Sequence, residues 1–422
     1  MPAARRGDSL DGVQHDNEAT ALIREYLLLG LRFDRIESGY VDAFTGDPAL
    51  RQTVLAEPAP DPAGLVRLAR RLLDALPDVP RGNGFDEARA DFMGAHLRAL
   101  ACAGRKFAGE DIGFVDEVHD YFDVDIVKGE QQTYRQAHAR LDEVLGDQAP
   151  SGPLADRMAA YRAAEEIPPD RLAECIEAFS SALRDRVRAE YPLPDAETVD
   201  YQVVTDKPWS GFNYYLGDYR STVAVNADVK QLMSNLPRLV AHESYPGHHT
   251  EHCRKEAGLV NGKGQAEQTI FLVNTPQCLM AEGLADLALH AAIGPGWGHW
   301  ASEIYADVGL RFDGERAEAL SEASAALAGV RQDAALMLHD EHRDADEVAA
   351  FLRRWLLVDD ARARQMLRFL SSPLWRAYTS TYVEGYRLLR AWLDHRPAGV
   401  SLTERFGRLL DEPLIPSRLR PD

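Results

Sequence analysis

Four of the chain's 13 histidines fall in one short run, His242-Glu243-Ser244-Tyr245-Pro246-Gly247-His248-His249-Thr250-Glu251-His252. Imidazoles beside a carboxylate are the donors of a divalent-metal site, and the leading His-Glu pair is the start of the zinc-peptidase motif HExxH. That motif works because positions i and i+4 share a helix face, so both histidines reach one metal while the glutamate acts on a water. Here position i+4 is Pro246, which has no ligand atom. His248, at i+6, lies about 240° round an unbroken helix, and His249, at i+7, lies roughly 10 Å further along its axis. Neither would share an ion with His242. Pro246 and Gly247 supply an interruption, because proline removes a backbone donor and glycine tolerates unusual backbone positions. If those two residues loop out, His248 takes the place of the second histidine. The spacing therefore points to His242 and His248 as metal ligands and Glu243 as general base, with His249 as the reserve ligand.

A two-histidine site of this kind takes a glutamate from a later helix as third ligand and leaves a fourth position for water. Thr275-Pro276 is a helix start, with threonine as cap and proline in the first turn, and Gly294-Pro295-Gly296 is a stop. Between them Glu282 sits among Leu279, Met280, Leu284 and Leu287, with Gly283 beside it giving close access. Asp286, one turn on, suits a hydrogen bond from a ligand histidine, although a solvated helix face explains it equally well. Hydrolysis also needs a donor for the developing oxyanion. Ser372-Pro373 is expected to open a helix carrying Tyr378, Tyr382, Tyr386, Arg387 and Arg390; Tyr382 is the candidate donor and Arg390 a candidate anchor for a substrate carboxylate.

The elements that must hold these groups are mostly helical. Leu22, Tyr26, Leu29 and Phe33 form one stripe, Leu65, Leu68, Leu72 and Leu76 another, and Leu172, Cys175, Ile176, Phe179, Leu183 and Val187 a third. Tyr201 to Asn226 breaks this pattern: Tyr219, Ser221, Val223 and Val225 alternate with Arg220, Thr222, Ala224 and Asn226, which is strand spacing. The expected fold is mainly α, a large helical body with a deep cleft and a small β-hairpin or short sheet next to the metal-site helix. Pro192-Leu193-Pro194 suggests a division into an N-terminal helical lobe, 1–195, and a catalytic lobe, 196–422, interwoven as one domain.

Composition narrows the partners. The 422 residues include 47 basic and 67 acidic side chains, a formal net charge of −20, which disfavours nucleic acid and anionic membrane surfaces. No apolar run approaches the roughly 18 residues of a membrane span. The N-terminal MPAARRGDSLDG has no hydrophobic signal core, and Cys102, Cys175, Cys253 and Cys278 are scattered without a CxxC pair. A cytoplasmic location and buried, unpaired thiols are expected. No GxSxG elbow or P-loop is present.

The run HESYPGHHTEH, together with KPWSGFNYYLGDYRSTVAVNAD, TPQCLMAEGLADLAL and TYVEGY, resembles the bacterial domain-of-unknown-function 885 family, marked by HExxPGHH and regarded as zinc metallopeptidases. The resemblance implies His242, His248 and Glu282 as zinc ligands, Glu243 as catalyst, and a gluzincin-like helical fold. It also implies that the edge strand Thr222 to Asn226, through Thr222, Ala224 and Asn226, binds the substrate backbone by strand addition. Many members have an export signal and a longer N-terminal region, neither of which is expected for this chain, and they have tryptophan where it carries Leu284.

The expected protein is a zinc metallopeptidase of short peptides, carboxypeptidase-like or oligopeptidase-like, with one zinc ion. Manganese or cobalt also suits such a ligand set. A metal-dependent hydrolase of non-peptide amides and a catalytically silent helical binding protein stay open as alternatives, and the sequence is silent on oligomeric state.

Overall fold

The computed structural model describes residues 8–82, 84–146, 150–207 and 209–419. The first seven residues of the arginine-bearing N-terminus lie outside them. The fold is mainly helical with two small sheets, and the three apolar stripes account for the reason: every one of their residues is buried in the core. The Leu172–Glu190 helix shows how. It packs Cys175, Ile176, Phe179, Leu183 and Val187 inward, and charged positions such as Glu174 and Arg188 fall on the other face. All four cysteines are buried and unpaired. Among the described residues no helix is long and apolar enough to cross a membrane.

Among the described residues the strands are β1 (Val41–Phe44), β2 (Thr198–Val204), β3 (Gly211–Gly217), β4 (Arg220–Asn226) and β5 (Ile270–Leu272). β1 and β5 form an antiparallel pair that ties the start of the chain to the approach of the Pro276–Ala292 helix. β3 and β4 form the anticipated hairpin, turned at Asp218 and Tyr219, both with positive φ, as tight hairpin turns require. β2 then adds in parallel on the far side of β4, giving the order β2-β4-β3. This corrects the strand-addition expectation. β4 is the central strand, so Thr222, Ala224 and Asn226 have neighbours on both sides and no free edge; the edge strand facing the site is β3. Asn226 is fully buried and its amide donates to the Lys207 and Trp209 carbonyls, holding the loop that leads into β3.

Candidate metal centre

The histidine run folds as a helix interrupted by two extra residues. Leu236–Glu243 is helical, the chain loops through 244–247, and helix resumes at His248–Lys255. Across the loop the Gly247 amide donates to the Ala241 carbonyl at 2.9 Å and the Thr250 amide to Ser244 at 3.1 Å. These bonds span six residues where an α-helix spans four, so the break absorbs two residues and the helical path continues. Only glycine fits at 247, since a Cβ there would lie 1.9 Å from the His242 carbonyl oxygen. His248 thereby reaches His242.

The Pro276–Ala292 helix brings the third group. Its Thr275 flank does not cap the helix through its hydroxyl, which donates to Leu272 O at 2.8 Å. Glu282 lies buried on the face toward the histidines. His242 Nε2 and His248 Nε2 are 3.2 Å apart, His242 Nε2 and Glu282 Oε2 3.4 Å, and His248 Nε2 and Glu282 Oε1 3.7 Å. Donors at about 2.0–2.1 Å from a tetrahedral zinc stand about 3.3–3.4 Å from one another, so the three atoms have the spacing of an ion's ligands. Among the described residues this is the one His, Cys, Asp and Glu set found to converge in this way. Glu282 Oε2 is moreover a buried oxygen without a hydrogen-bond partner, which a cation would satisfy.

The surroundings fix the ligand atoms. Asp286 Oδ1 lies 3.1 Å from His242 Nδ1, so that nitrogen donates to the carboxylate and Nε2 is left facing His248 and Glu282. The Tyr378 hydroxyl donates to Glu282 Oε1 at 2.6 Å. The local field is negative. Burial would lower the His242 imidazole, but the neighbouring Asp286 and Glu282 carboxylates, with the charge of Glu243, outweigh it and hold it well above its ordinary value. Burial would likewise raise Glu282, yet His242, His248 and Tyr378 bring it below the usual carboxylate range. Glu243 behaves oppositely: burial pushes its carboxyl up, only partly offset by His242 and His248. It is 6% exposed and sits against the start of β3, where a Cβ on Gly211 would come within 3.2 Å of Glu243 Oε1. The Asn213 amide donates to its carbonyl at 2.6 Å.

Tyr382 adjoins the triad. Its ring packs on Tyr378 at 5.6 Å between centroids, and burial together with Glu282, Asp286 and Glu243 raises its phenol well above the ordinary value, so it stays protonated. The segment that carries it differs from expectation. Residues 373–378 form turns, Thr379 and Ser380 are helical, Thr381–Gly385 is a π-helical turn, and the longer regular helix runs from Tyr386. Two expected residues are not brought in. His249 is completely buried and points elsewhere, with Nε2 3.0 Å from Glu197 Oε2 and Nδ1 2.8 Å from the Ser221 hydroxyl. Arg390 pairs with Asp394 one turn along its own helix.

Sequence reasoning missed three groups around the triad. Tyr378 carried a signal, since it precedes Tyr382 by one helical turn. Asp42 and Arg331 carried none. Asp42 is the extra residue of a β-bulge, since Val41 and Ala43 pair with the consecutive Leu272 and Phe271. Its carboxyl is pushed up to about 7 by burial, then by Glu282 and Glu243.

Fold and site together define a mainly helical protein with a candidate divalent-metal centre. No family model matches the chain, and no curated protein matches it in sequence. Among solved structures it is similar to a protein of Colwellia psychrerythraea named as a lipoprotein, with TM-score 0.52 and 13% identity over 85% of this chain and 68% of that one. It also matches a protein of Shewanella oneidensis, named as a lipoprotein of unknown function, at TM-score 0.47 and 14% identity over 85% and 70% of the two chains. A third match is M32 carboxypeptidase from Deinococcus radiodurans R1, at TM-score 0.41 and 12% identity over 94% and 90%. The first is a likeness of fold, and the other two are too distant to bear on fold or chemistry.

Proposed function

We propose that this chain is a zinc-dependent hydrolase of amide bonds in short peptides. The observation that carries the reading is the convergence of His242, His248 and Glu282 at ligand spacing, with the buried Glu243 carboxylate in electrostatic reach of all three. The resemblance of HESYPGHHTEH to the HExxPGHH family supports it. A zinc ion held by the triad would supply Lewis acidity and ease deprotonation of a water.

The chain's own groups account for the rest. Glu243, with its carboxyl raised by burial, is suited to take a proton from the attacking water and hand it to the leaving amine nitrogen. Tyr382 keeps its phenolic proton and offers it to the oxyanion that develops on the substrate carbonyl. Asp286 and Tyr378 hold the His242 ring and the Glu282 carboxylate in place. β3 borders Glu243 and has one free edge, along which an extended peptide backbone can lie.

The test is metal analysis of purified protein followed by a panel of short peptides and small non-peptide amides. One zinc per chain, lost in His248→Ala, and peptide cleavage abolished in a zinc-retaining Glu243→Gln are expected. Protein that holds no divalent ion overturns the reading, as does cleavage confined to non-peptide amides.

A further inference from the structure

In a chain with 20 more acidic than basic side chains, arginines usually have carboxylate partners, and most here do. Arg331 is an exception beside the metal centre. It is the second residue of the Val330–His339 helix, it is exposed, and it has no hydrogen bond or ion pair to any described residue. The residues on either side of it lie against the segment that carries Tyr382, one of them through its side chain. The Gln332 side-chain amide donates to Glu384 Oε1 at 2.7 Å, and a Cβ on Gly329 would come within 3.2 Å of the Arg387 guanidinium. Arg331 consequently lies in electrostatic reach of Tyr382 and of Asp286, the residue bonded to His242.

Two further guanidiniums stand behind it. Arg362 is in electrostatic reach of both Arg331 and Arg162. Arg162 spends its donors on the carbonyls of Leu356 and Leu357, and Arg362 donates to the Gln365 side chain. None of the three has an ion pair with a carboxylate, although Asp359 lies in reach of Arg362. Guanidiniums do not shed their protons, so an arrangement like this favours an anion arriving from outside. The outer, unspent fork is that of Arg331, and planar forks match carboxylates with two parallel hydrogen bonds.

We infer that Arg331 is the specificity-determining residue that binds the free C-terminal carboxylate of the peptide, so that the substrate is read from its C-terminal end. This takes over the role expected of Arg390, whose guanidinium is committed to Asp394. The inference rests on the hydrolase reading, and its test separates the two.

Tripeptides of one sequence, as free acid and as C-terminal amide, are given to the zinc-loaded full chain. The wild type should favour the acid at least tenfold in kcat/KM. Arg331→Gln should lose that preference through a raised KM for the acid, with kcat nearly unchanged and the amide unaffected, and Arg331→Lys should fall between. The same two peptides are titrated calorimetrically into zinc-loaded Glu243→Gln, with and without Arg331→Gln, which reads binding without turnover. Equal handling of acid and amide by the wild type, or an equal loss on both in Arg331→Gln, overturns the inference and leaves the hydrolase reading standing. Absence of cleavage with acid-selective binding that vanishes in the double variant overturns the hydrolase reading and keeps the anion site. If Arg331→Gln unfolds, the lysine variant decides by the same ratio.

Discussion

The Glu282 helix and the Tyr382 segment approach so closely that a single methyl group should disturb the metal centre. A Cβ on Gly283 would lie 2.4 Å from the carbonyl carbon of Gly385 and 2.5 Å from its oxygen, and both contacts are backbone, which cannot swing aside. Restoring ordinary carbon contacts of about 3.5 Å in Gly283→Ala requires the two segments to part by roughly 1 Å. The 2.6 Å bond from Tyr378 to Glu282 would then stretch to about 3.6 Å, beyond hydrogen-bonding range. Overpacking of this kind costs about 1–3 kcal/mol, and a lost hydrogen bond to a carboxylate about 1.5–3 kcal/mol. Since the two losses share one displacement, a total on the order of 2–4 kcal/mol is expected. With an unfolding entropy of ~2.1 cal/mol/K per residue, the melting point of a chain this long should fall by about 2–4 °C. The metal readout is sharper, because losing a group that orients a ligand typically weakens metal binding about 10–100-fold. Calorimetric melting and zinc competition against a fluorescent chelator measure the two effects. A Gly283→Ala protein that melts and binds zinc as the wild type does would refute the claim that this backbone contact sets the ligand geometry.

Two further predictions concern single side chains. Tyr378→Phe and Tyr382→Phe should separate: the first weakens zinc binding about tenfold, whereas the second keeps zinc and lowers kcat about 100-fold. Chelator competition and peptide kinetics on both variants check this, and matching effects would dissolve the distinction. Away from the centre, burial lifts the Glu165 carboxyl from an ordinary value of 4.5 to about 7, with Asp313 adding to it, and Oε2 has no partner. Glu165 is 7% exposed. The folded state holds this proton more tightly than the unfolded one, so its contribution is fully present below about 4.5 and is lost as the pH rises through about 7. Glu165→Gln should therefore be more stable than wild type at pH 8, by up to about 2–3 kcal/mol. Its melting point should also fall less between pH 5 and 8, and parallel melting curves for the two proteins would contradict this.

The parts of the site legible in the sequence are those whose geometry is local. The spacing of His242, Pro246, Gly247 and His248 contains a two-residue insertion, and the six-residue hydrogen bonds across the loop are its structural counterpart. Glu282 was legible because Thr275-Pro276 and Gly294-Pro295-Gly296 bracket a helix too apolar to leave an acid in its middle without purpose. The hairpin was visible in the alternation around Tyr219 to Asn226, but its place in the sheet was not. Only the arrival of β2 on one side made β4 central and left β3 as the edge.

Local spacing thus determined which residues offer the donors of a candidate metal centre and how two of them meet across a break. Tertiary packing decided what each group faces. Glu197, 52 residues before it, holds His249 away from the His242, His248 and Glu282 triad. The bulge opposite β5 sets Asp42 apart, the Gln332 bond to Glu384 holds the Arg331 helix against the Tyr382 segment, and Gly385 against Gly283 brings Tyr378 onto Glu282. Each of those partnerships joins residues tens to hundreds of positions apart. Periodicity tells which face of an element is buried, whereas the identity of the opposing face is settled only when the whole core closes.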